Sequence, residues 1–509
     1  MAQDQSATIA FLARTADRRI DTHGAILFLR GDRVLKIKRA VSLGYLDFST
    51  LALRRAACEA ELHLNRRTAP DLYLGLHTIT REEAGLALDG PGEVVDYAIA
   101  MRRFADDALL SQVAEQGALT PALLRDLADT IARFHASAAV APDRQGAARL
   151  AAVIAGNARS FAALPAGALP AADVARLLDH SRAALASVAP LLDARARAGA
   201  LRHGHGDLHL ANICLWQGRP VLFDCLEFSE ELATTDVLYD LAFLLMDLWM
   251  RGYRAQANLV FNRYCDSGAQ DDGLPALPLF LSIRAAIRAH VGAMGAHRQA
   301  DPAAALAQAR AYLTAALAFL EPGARGLVAV GGLSGTGKST LAGALAPLIG
   351  AAPGARWLRS DVIRKRLAGI APEQRLPPSA YTPEASAQVY ATLEASAGAV
   401  LASGWPVVAD AVFARAEERA RIAALAQAPS APFIGLWLTA PRADLIARVS
   451  ARHGDASDAD AAVVAHQAAY DTGEGADWAQ IDATGPPVTI LTRATAIIAT
   501  QAPFILQKP

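Results

Sequence analysis

The chain has 509 residues, which at roughly 100–200 residues per domain predicts two to four domains. Apolar residues make up 53% and charged residues 19%, so several hydrophobic cores are expected and general disorder is excluded. The 49 basic and 50 acidic residues leave a net charge of −1, which argues against a nucleic-acid scaffold and against a basic membrane anchor.

The cysteines and the N-terminus indicate a protein of a reducing compartment. The four cysteines are far apart and form no CxxC pair, which disfavours structural zinc and a disulfide framework. The first residues, MAQDQSATIAFLART, lack the pattern of a signal peptide. The most apolar run, Leu238–Met250, is short and holds two aspartates, so it predicts a buried helix rather than a membrane span. We therefore expect a cytoplasmic protein with no membrane partner.

The N-terminal part predicts a small sheet with one helix, followed by a mainly helical region. Gly24–Val41 has the pattern of two strands around a Gly-Asp turn, and Glu93–Phe104 alternates like a strand. Thr50–Arg67 has helical spacing, and Ala/Leu-rich helices dominate further along. Asp266–Pro275 reads as a polar loop inside the helical region. This order is typical of an α+β fold.

Glu321–Gly326 is the predicted domain boundary, because Pro and Gly there end a long helix before an apolar strand. Strands and helices alternate beyond it, which predicts an α/β domain with a parallel sheet over residues 326–509 and a first domain over residues 1–320. The predicted strands are Leu327–Gly331, Ala355–Leu358, Pro406–Ala409, Phe433–Leu438 and Val488–Leu491.

The stretch HGDLHLAN, His205–Asn212, supplies groups that phosphoryl transfer from a nucleotide needs. Asp207 can deprotonate the acceptor hydroxyl, and Asn212 follows at the spacing of kinase catalytic loops. Asp224 follows an apolar strand, where a metal-binding Asp belongs, and hard oxygen ligands suit Mg²⁺. The alternative is that these polar residues only stabilise a turn.

This stretch resembles the aminoglycoside phosphotransferase family, a branch of the two-lobed, protein-kinase-like α+β fold. HGDLHLAN matches the family motif H-G-D-x-H-x-x-N in full, and FDCLEF stands where the family places its metal Asp. The resemblance implies that Asp240, in LYDLA, and His209 brace the catalytic loop, and that His205 supports the site. It does not establish an aminoglycoside as the substrate, because the acceptor pocket fixes the substrate.

A lysine that holds the phosphates and a glutamate that fixes it are expected upstream. VLKIK offers Lys36 or Lys38, which strand geometry puts on the same face, and CEAEL offers Glu61 or Glu59. We favour Lys36 and Glu61, although a solvated ion pair is an equal alternative. No clear glycine-rich loop covers the phosphates, and THGAILFLRGDR is a weak substitute.

A second nucleotide motif, GLSGTGKS, fits G-x-x-x-x-G-K-S between a predicted strand and a predicted helix. Its backbone N–H groups and the positive end of the helix would hold the phosphates, Lys338 would reach the outer phosphates and Ser339 would offer a hydroxyl to Mg²⁺. The residues predicted to bind nucleotide here are Gly332, Ser334, Gly335, Thr336, Gly337, Lys338, Ser339 and Thr340.

The segment LRSDVIRKRLAG resembles the P-loop small-molecule and polynucleotide kinases, which include gluconate kinase, chloramphenicol phosphotransferase and the zeta toxins. The resemblance gives Asp361 the role of base toward the acceptor and Arg364 that of holding substrate or phosphate; the alternative is that Asp361 caps a helix. Asp410 ends an apolar run at a Walker-B-like position and would contribute to the Mg²⁺ site, with contact to the substrate as the alternative. Arg448 and Arg452 resemble the arginines of a kinase lid, with a surface helix as the alternative.

Together these patterns predict a bifunctional phosphotransferase. Each domain would bind Mg²⁺ with ATP or GTP and phosphorylate a hydroxyl group of a small molecule, such as a sugar, an aminocyclitol or a nucleoside-like metabolite. Nucleic acid is disfavoured as a partner, while a polynucleotide or nucleoside acceptor stays open. The alternative is that the P-loop domain only senses nucleotide and regulates the first domain. The helical segment Asp301–Leu320 leaves a homo-oligomer open.

Overall fold

The computed structural model describes residues 4–42, 46–427, 430–451, 456–467, 470 and 478–507. The chain forms two compact units. The first unit contains Met1–Ala163 and Leu185–Asp247, and the second contains Leu164–Ala184 and Leu248–Pro509.

An antiparallel sheet and helix α2 form the beginning of the first unit. The strand order is β1-β2-β3-β6-β4-β5, and the predicted hairpin corresponds to the paired strands β2 and β3. Thr50 caps α2 by accepting a hydrogen bond from the backbone N–H of Leu53, at 3.3 Å. The elements are α1 (Ser6–Ala13), β1 (Arg18–Asp21), β2 (Ala25–Arg30), β3 (Arg33–Lys38), α2 (Leu51–Asn65), β4 (Tyr73–Glu82), β5 (Gly85–Leu88) and β6 (Glu93–Arg102).

The chain from α3 to α8 is mainly helical, with two short antiparallel strand pairs, β7 with β10 and β8 with β9. It belongs to the first unit except for α6 up to Ala184 and α8 from Leu248, which belong to the second. The β8–β9 hairpin begins just after Asn212 and ends two residues before Asp224, so it brings these two residues to the same end of the hairpin. The elements are α3 (Leu110–Glu115), α4 (Pro121–Ser137), α5 (Gly146–Ala162), α6 (Ala171–Arg197), β7 (Leu201–His203), β8 (Ile213–Trp216), β9 (Arg219–Leu222), α7 (Glu230–Ala233), β10 (Thr234–Asp236) and α8 (Val237–Met250).

A five-stranded sheet lies in the second unit, with strand order β12-β13-β11-β14-β15 and every adjacent pair parallel. The predicted α+β part followed by an α/β part with a parallel sheet is thereby confirmed. The elements are α9 (Arg254–Gly268), α10 (Leu277–Gly295), α11 (Pro302–Phe319), β11 (Leu327–Gly332), α12 (Lys338–Leu345), β12 (Arg356–Arg359), α13 (Ser360–Leu367), α14 (Pro383–Ala402), β13 (Val407–Asp410), α15 (Ala416–Ala424), β14 (Phe433–Thr439), α16 (Arg442–Ser450), α17 (Ala461–Gln467), β15 (Ala479–Asp482) and α18 (Pro487–Gln501).

The central strand β11 carries the second nucleotide motif and lies in the core of this unit. Val328 and Val330 are fully buried, and they belong to one apolar cluster with Leu341 and Leu345 of α12 and Ile498 of α18. The cluster fixes the angle between the strand and the helix that follow one another in the motif. Burial of these side chains, at about 25 cal/mol per Å² of apolar surface, supplies the stability that holds the intervening loop.

The predicted fifth strand, Val488–Leu491, is wrong. These residues lie in helix α18, and the fifth strand is β15, Ala479–Asp482. Pro487 occupies the first turn of α18, where its missing N–H costs nothing and its fixed φ favours a helix start. The β-branched residues that follow therefore continue a helix.

Helices α9–α11 precede the predicted boundary at Glu321–Gly326 but belong to the second compact unit. The predicted boundary divides the chain into sequence domains rather than compact units, so domains at 1–320 and 326–509 stay a prediction. Among the described residues, one segment, Asp271–Arg298, is long and apolar enough to cross a membrane by length and composition, and 67% of its apolar window is buried inside the protein. The predicted buried helix Leu238–Met250 corresponds to α8, most of which is buried.

Candidate phosphoryl-transfer sites

The loop between β7 and β8 is held by the carboxylate of Asp240, which is fully buried in α8. The backbone N–H groups of His205 and Gly206 donate to its two oxygens at 2.7 and 2.9 Å. A Cβ on Gly204 would lie 2.5 Å from Asp240 Oδ2, so only glycine allows this approach. His135 of α4 contacts the same oxygen at 3.1 Å. Asp240 therefore fixes the loop through backbone groups, in agreement with the bracing role that the resemblance implies.

Asp207, His209 and Asn212 are brought together at the end of this loop. Asn212 Nδ2 donates to Asp207 Oδ2 at 2.8 Å, and His209 Nε2 lies 3.4 Å from the same oxygen. The Asp207 side chain remains 40% exposed, so its carboxylate is accessible to an acceptor. His205 Nε2 lies 3.0 Å from the carbonyl oxygen of Phe223, which ties the loop to the residue before Asp224.

Lys36 of β3 joins the sheet, helix α2 and the segment after β9. Its Nζ lies 2.7 Å from Glu61 Oε1 and 2.6 Å from Asp224 Oδ1. Lys38 contacts the other oxygen, Glu61 Oε2, at 2.6 Å, and it also pairs with Glu227. The two lysines that the sequence offered thus share one glutamate, and Lys36 is the one beside Asp224.

Glu61 is completely buried, whereas Glu59 lies on an exposed face of α2, 2.8 Å from Arg55. Burial by itself raises the pKa of Glu61, but Lys36 and Lys38 outweigh it and lower the pKa to about 2. Burial likewise opposes the charged form of Lys36, and Asp224 and Glu61 outweigh it and raise the lysine pKa. The cluster is therefore charged at neutral pH, with opposite charges in contact.

Four residues of this site were missed by the sequence analysis: Tyr73, Asn65, His135 and Glu227. The Tyr73 hydroxyl accepts from the Asp224 backbone N–H at 3.3 Å, and Asn65 Oδ1 accepts from the Cys225 N–H at 2.8 Å. These two bonds hold Asp224 in a left-handed conformation, with φ of +62°, which is uncommon for a residue other than glycine. Tyr73 and Asn65 lie far from Asp224 in sequence and belong to no motif, so no local signal pointed to them.

The weakly predicted nucleotide loop, THGAILFLRGDR, contains the turn between β1 and β2 and the hairpin β2–β3. Only Gly24 is a glycine in the first turn, where the Thr22 hydroxyl accepts from the Ala25 N–H at 3.0 Å. The turn is therefore organised by a side chain rather than by consecutive glycines.

In the second unit, the loop after β11 has the backbone that a phosphate cradle requires. Gly332, Gly335 and Gly337 have φ of +140°, +88° and +87°. A Cβ would lie 2.8 Å from the Leu438 oxygen at Gly332 and 2.6 Å from the Leu445 oxygen at Gly335, whereas nothing lies within 4 Å at Gly337. The first two glycines allow close packing, and the third leaves open space at the start of α12, where backbone N–H groups and the helix dipole favour an anion.

The other predicted residues of this loop lie around that space. Lys338 begins α12 and is largely buried, Ser339 follows it, and Thr340 is exposed. The Thr336 hydroxyl donates to the Leu333 carbonyl at 2.8 Å, which stabilises the loop itself. The Ser334 N–H donates to Gln467 Oε1 of α17 at 2.8 Å, a contact that the sequence analysis missed.

Asp410 ends β13, beside the end of β11 on one side and Arg359 of β12 on the other. It is 2% exposed, and neither carboxylate oxygen has a hydrogen-bond partner among the described residues. Arg359 Nε is 3.7 Å away. Burial raises the pKa of Asp410, and Arg359, Lys338 and Ser339 oppose the shift without cancelling it. A buried carboxylate whose arginine partner lies beyond hydrogen-bond distance is costly, so this donor fits a cation.

The oxygen donors of both sites fit Mg²⁺. Asn212 and Asp224 would hold it in the first unit, and Ser339 and Asp410 in the second. Across the described residues, no three or more His, Cys, Asp or Glu side chains cluster as a metal site. One or two protein oxygens completed by phosphate oxygens and water are what Mg²⁺ takes in nucleotide sites.

Asp361 and Arg364 lie in α13, which follows the edge strand β12 directly. Asp361 is in the first helical turn, and the residue at the N-cap is Arg359, so the capping role considered for Asp361 is wrong. Arg364 donates to the Ala380 carbonyl at 2.8 Å and stacks over the Tyr381 ring at 4.9 Å. Asp361 remains partly exposed.

Arg448 of α16 contacts the backbone of the loop between β11 and α12, called the phosphate loop below. It donates to the Ala483 carbonyl at 2.8 Å and to the Thr336 carbonyl at 3.4 Å. Its guanidinium thus braces the loop through backbone carbonyls. Arg452, predicted as a second lid arginine, lies outside the described residues.

Apart from Lys36 and Lys38, the predicted residues of the two sites lie in regions that match known families. Residues 52–277 match the sequence model described as "Phosphotransferase enzyme family", and residues 327–471 match the one described as "AAA domain". The fold and these matches define a protein with a kinase-like phosphotransferase domain followed by a P-loop kinase-like domain. Both domains imply the use of a nucleotide, and together they support kinase activity.

Relatives align with nearly the whole chain. Uncharacterized proteins of Mycobacterium tuberculosis (strain H37Rv) and Mycobacterium bovis are each 32% identical over 479 residues, covering 92% of this chain and 92% of theirs. The chain belongs to the family that these two-domain proteins represent.

Two solved structures resemble part of this chain. A choline/ethanolamine kinase family protein from Mesorhizobium loti is 18% identical, covers 62% of this chain and 96% of its own, and has a TM-score of 0.39. A sugar kinase from Janibacter sp. is 21% identical, covers 36% of this chain and 99% of its own, and has a TM-score of 0.28.

Proposed function

We propose that the protein is a bifunctional kinase with one Mg²⁺–nucleotide site in each unit. Each site transfers the γ-phosphoryl group of ATP or GTP to a hydroxyl group of a small molecule. The observation that carries the proposal is that each unit has its own lysine beside its own carboxylate, Lys36 with Asp224 and Lys338 with Asp410. We assign each lysine to the phosphates of its nucleotide.

In the first site, Asp207 accepts the proton of the acceptor hydroxyl as the oxygen–phosphorus bond forms and the bond to the β-phosphate oxygen breaks. The Asn212 amide nitrogen, Nδ2, orients the Asp207 carboxylate and also donates to the Asp207 backbone carbonyl at 3.0 Å. Lys36 holds the phosphates, and Glu61 fixes the position of the lysine. Mg²⁺ bound by Asn212 and Asp224 would neutralise phosphate charge.

In the second site, Asp361 takes the corresponding role toward its own acceptor, and Arg364 holds the acceptor or the phosphate. The N–H groups of the loop and the start of α12 bind the phosphates, and Lys338 neutralises charge on the transferred group. Ser339 and Asp410 would hold Mg²⁺. The acceptors proposed are sugars, aminocyclitols or nucleoside-like metabolites, and the two sites can differ in the acceptor that they bind.

In this proposal the protein works in the cytoplasm. All four cysteines are described and buried, and none forms a disulfide, as expected where thiols stay reduced.

The test measures phosphoryl transfer from γ-labelled ATP and GTP to a panel of hydroxyl compounds, read by mass spectrometry. Asp207→Asn should abolish one set of products and Asp361→Asn the other, each by at least about 100-fold, since a general base contributes about 10²–10⁴-fold. Glu59→Gln and Glu417→Gln are the matched controls, because both carboxylates are exposed and outside the sites. Loss of product in neither variant would overturn the proposal.

The same experiment separates the proposal from a sensor role for the second unit. If Asp361→Asn changes no product while Mg²⁺–nucleotide still binds at Lys338, the second unit senses nucleotide and does not transfer phosphate. If Asp361→Asn keeps nucleotide affinity and loses product, transfer by the second site stands.

A further inference from the structure

Helix α9 lies along the open edge of the parallel sheet in the second unit. Strand β12 is the edge strand, and two amides one helical turn apart on α9 bind the backbone of Trp357 in the strand and of the segment just before it. Asn262 Oδ1 accepts from the Trp357 N–H at 2.7 Å, and Asn262 Nδ2 donates to the Ala355 carbonyl at 3.2 Å. Asn258 Nδ2 donates to the Pro353 and Ala355 carbonyls at 3.0 and 3.1 Å. The two amides satisfy backbone groups that another strand would otherwise bind.

Arg356, in the same strand, is fully buried and is held by the end of α9 and the turn after it. Its guanidinium lies 2.6 Å from Asp266 Oδ1 and 2.7 Å from Asp271 Oδ1, and it donates to Asn262 Oδ1 at 3.1 Å. Burial opposes the charge on Arg356, and the two carboxylates outweigh it and raise its pKa. Two carboxylates and an amide thus fix one arginine at a defined place in β12, and Asp266–Pro275 is not merely the polar loop that the sequence predicted.

The position of β12 matters because its carboxyl end carries the acceptor side of the second site. Arg359 ends the strand, and Asp361 follows within the first turn of α13. Beyond α13, Glu373 accepts two hydrogen bonds from Arg263 of α9, at 3.1 and 3.2 Å. One helix therefore holds the chain on both sides of the segment that presents Asp361.

We propose that Asn262, Asp266 and Asp271 are positioning residues for phosphoryl transfer in the second unit. They set the place of β12, and through it the place of Asp361 relative to the phosphate loop. All three lie inside residues 52–277, which match the phosphotransferase family, so transfer at the P-loop site depends on a segment of the preceding family domain. This inference rests on the proposed function of the second site.

The test uses the full chain and the part of the transfer activity that Lys338→Met removes. The double variant Asp266→Asn/Asp271→Asn removes both carboxylate charges, and Glu321→Gln, an exposed carboxylate of the same unit, is its control. Binding of Mg²⁺ and a non-hydrolysable ATP analogue is measured in a Lys36→Met background, so that it reports on the P-loop. Hydrogen exchange of residues 356–366 is followed by mass spectrometry.

The rate of Lys338-dependent transfer should fall at least about tenfold in the double variant, because a small misplacement of a catalytic group slows the reaction strongly. Analogue binding should stay within about twofold, since the phosphate loop is untouched. Exchange over residues 356–366 should accelerate, and Asp266→Glu/Asp271→Glu should recover part of the activity. Unchanged transfer, or a parallel loss of analogue binding, would overturn the inference.

Arg263→Gln provides a second test that leaves the buried cluster intact, should the double variant fail to fold. It releases Glu373, and transfer should fall by about threefold with analogue binding unchanged. An unaltered rate in Arg263→Gln contradicts the inference. The two failures can be told apart. If the wild-type protein shows no Lys338-dependent transfer, the proposed function itself fails. If wild type and variants show equal Lys338-dependent transfer, only this inference fails.

Discussion

Lys36 Nζ lies 2.6 Å from Asp224 Oδ1, so the lysine of strand β3 meets the carboxylate that follows strand β9. The same ammonium group contacts Glu61 on α2 at 2.7 Å. One cation therefore fixes the relative positions of three elements around the place where a nucleotide would bind. Lys38, two residues along the strand, pairs with the same glutamate, Glu61, but its second partner is Glu227.

The first prediction separates these two lysines. Lys36→Met should lower the Asp207-dependent transfer by at least about 100-fold, because the phosphates lose their cation and Asp224 loses its partner. Lys38→Met should lower it by about tenfold or less, since Lys38 pairs with Glu61 and Glu227 while Lys36 is the lysine beside Asp224. The measurement is kcat/KM for a first-site acceptor found in the panel. A larger loss for Lys38→Met than for Lys36→Met would contradict the assignment.

The second prediction concerns the pH dependence of stability. The pKa of Glu61 is lowered from 4.5 to about 2, so its contribution is complete above pH 4.5 and is lost as pH falls toward 2. Glu61→Gln should cost about 3 kcal/mol of unfolding free energy at about pH 7, because two buried lysines lose their shared countercharge. The difference between wild type and variant should shrink by about 2 kcal/mol at about pH 3.

The measurement is urea unfolding of both proteins at each pH, followed through the transition of the first unit. Glu59→Gln should change the free energy of unfolding by less than about 0.5 kcal/mol, as is usual for exposed positions. A difference between wild type and Glu61→Gln that is independent of pH would show that Glu61 is not held ionised by the lysines.

The third prediction concerns Asp410. Because its carboxylate is buried without a hydrogen-bond partner among the described residues, Asp410→Asn should leave the unfolding midpoint unchanged or raise the stability by about 1 kcal/mol. The same change should reduce the Lys338-dependent transfer by at least about 100-fold. Mg²⁺ with an ATP analogue should raise the midpoint of the second unit in wild type and much less in Asp410→Asn. A destabilised variant with a normal transfer rate would contradict a metal role.

The fourth prediction uses two glycines with the same backbone. Gly337 and Gly404 have φ of +87° and +86°, and a Cβ on either meets nothing within 4 Å. Alanine at each should cost about 1–2 kcal/mol of stability through left-handed strain. Only Gly337→Ala should also weaken analogue binding at the P-loop, since Gly337 adjoins the N–H groups that bind phosphate. Equal analogue affinity in the two variants would place the phosphates elsewhere.

The local motifs of both sites could be predicted because their residues are close in sequence. HGDLHLAN and GLSGTGKS each place their groups within eight residues, and one turn or one helix start fixes their geometry. Strand periodicity also predicted that Lys36 and Lys38 share a face, although it could not choose between them, and the structure shows both lysines on Glu61.

Contacts between residues far apart in sequence could not be predicted in this way. Tyr73 reaches Asp224 across 151 positions, and Arg356 reaches Asp266 across 90. Neither pair belongs to a spacing pattern, so only the folded chain shows them. The error at Val488–Leu491 has a local cause: β-branched residues favoured a strand, while Pro487 in the first turn favoured a helix, and the helix formed.

Counting nucleotide molecules bound per chain is the most direct test of two independent sites. Calorimetry with Mg²⁺ and a non-hydrolysable ATP analogue should give two bound molecules for wild type, and one for either Lys36→Met or Lys338→Met. The double variant Lys36→Met/Lys338→Met should bind none. A single bound molecule in wild type, lost in only one of the two lysine variants, would contradict the claim that both units bind nucleotide.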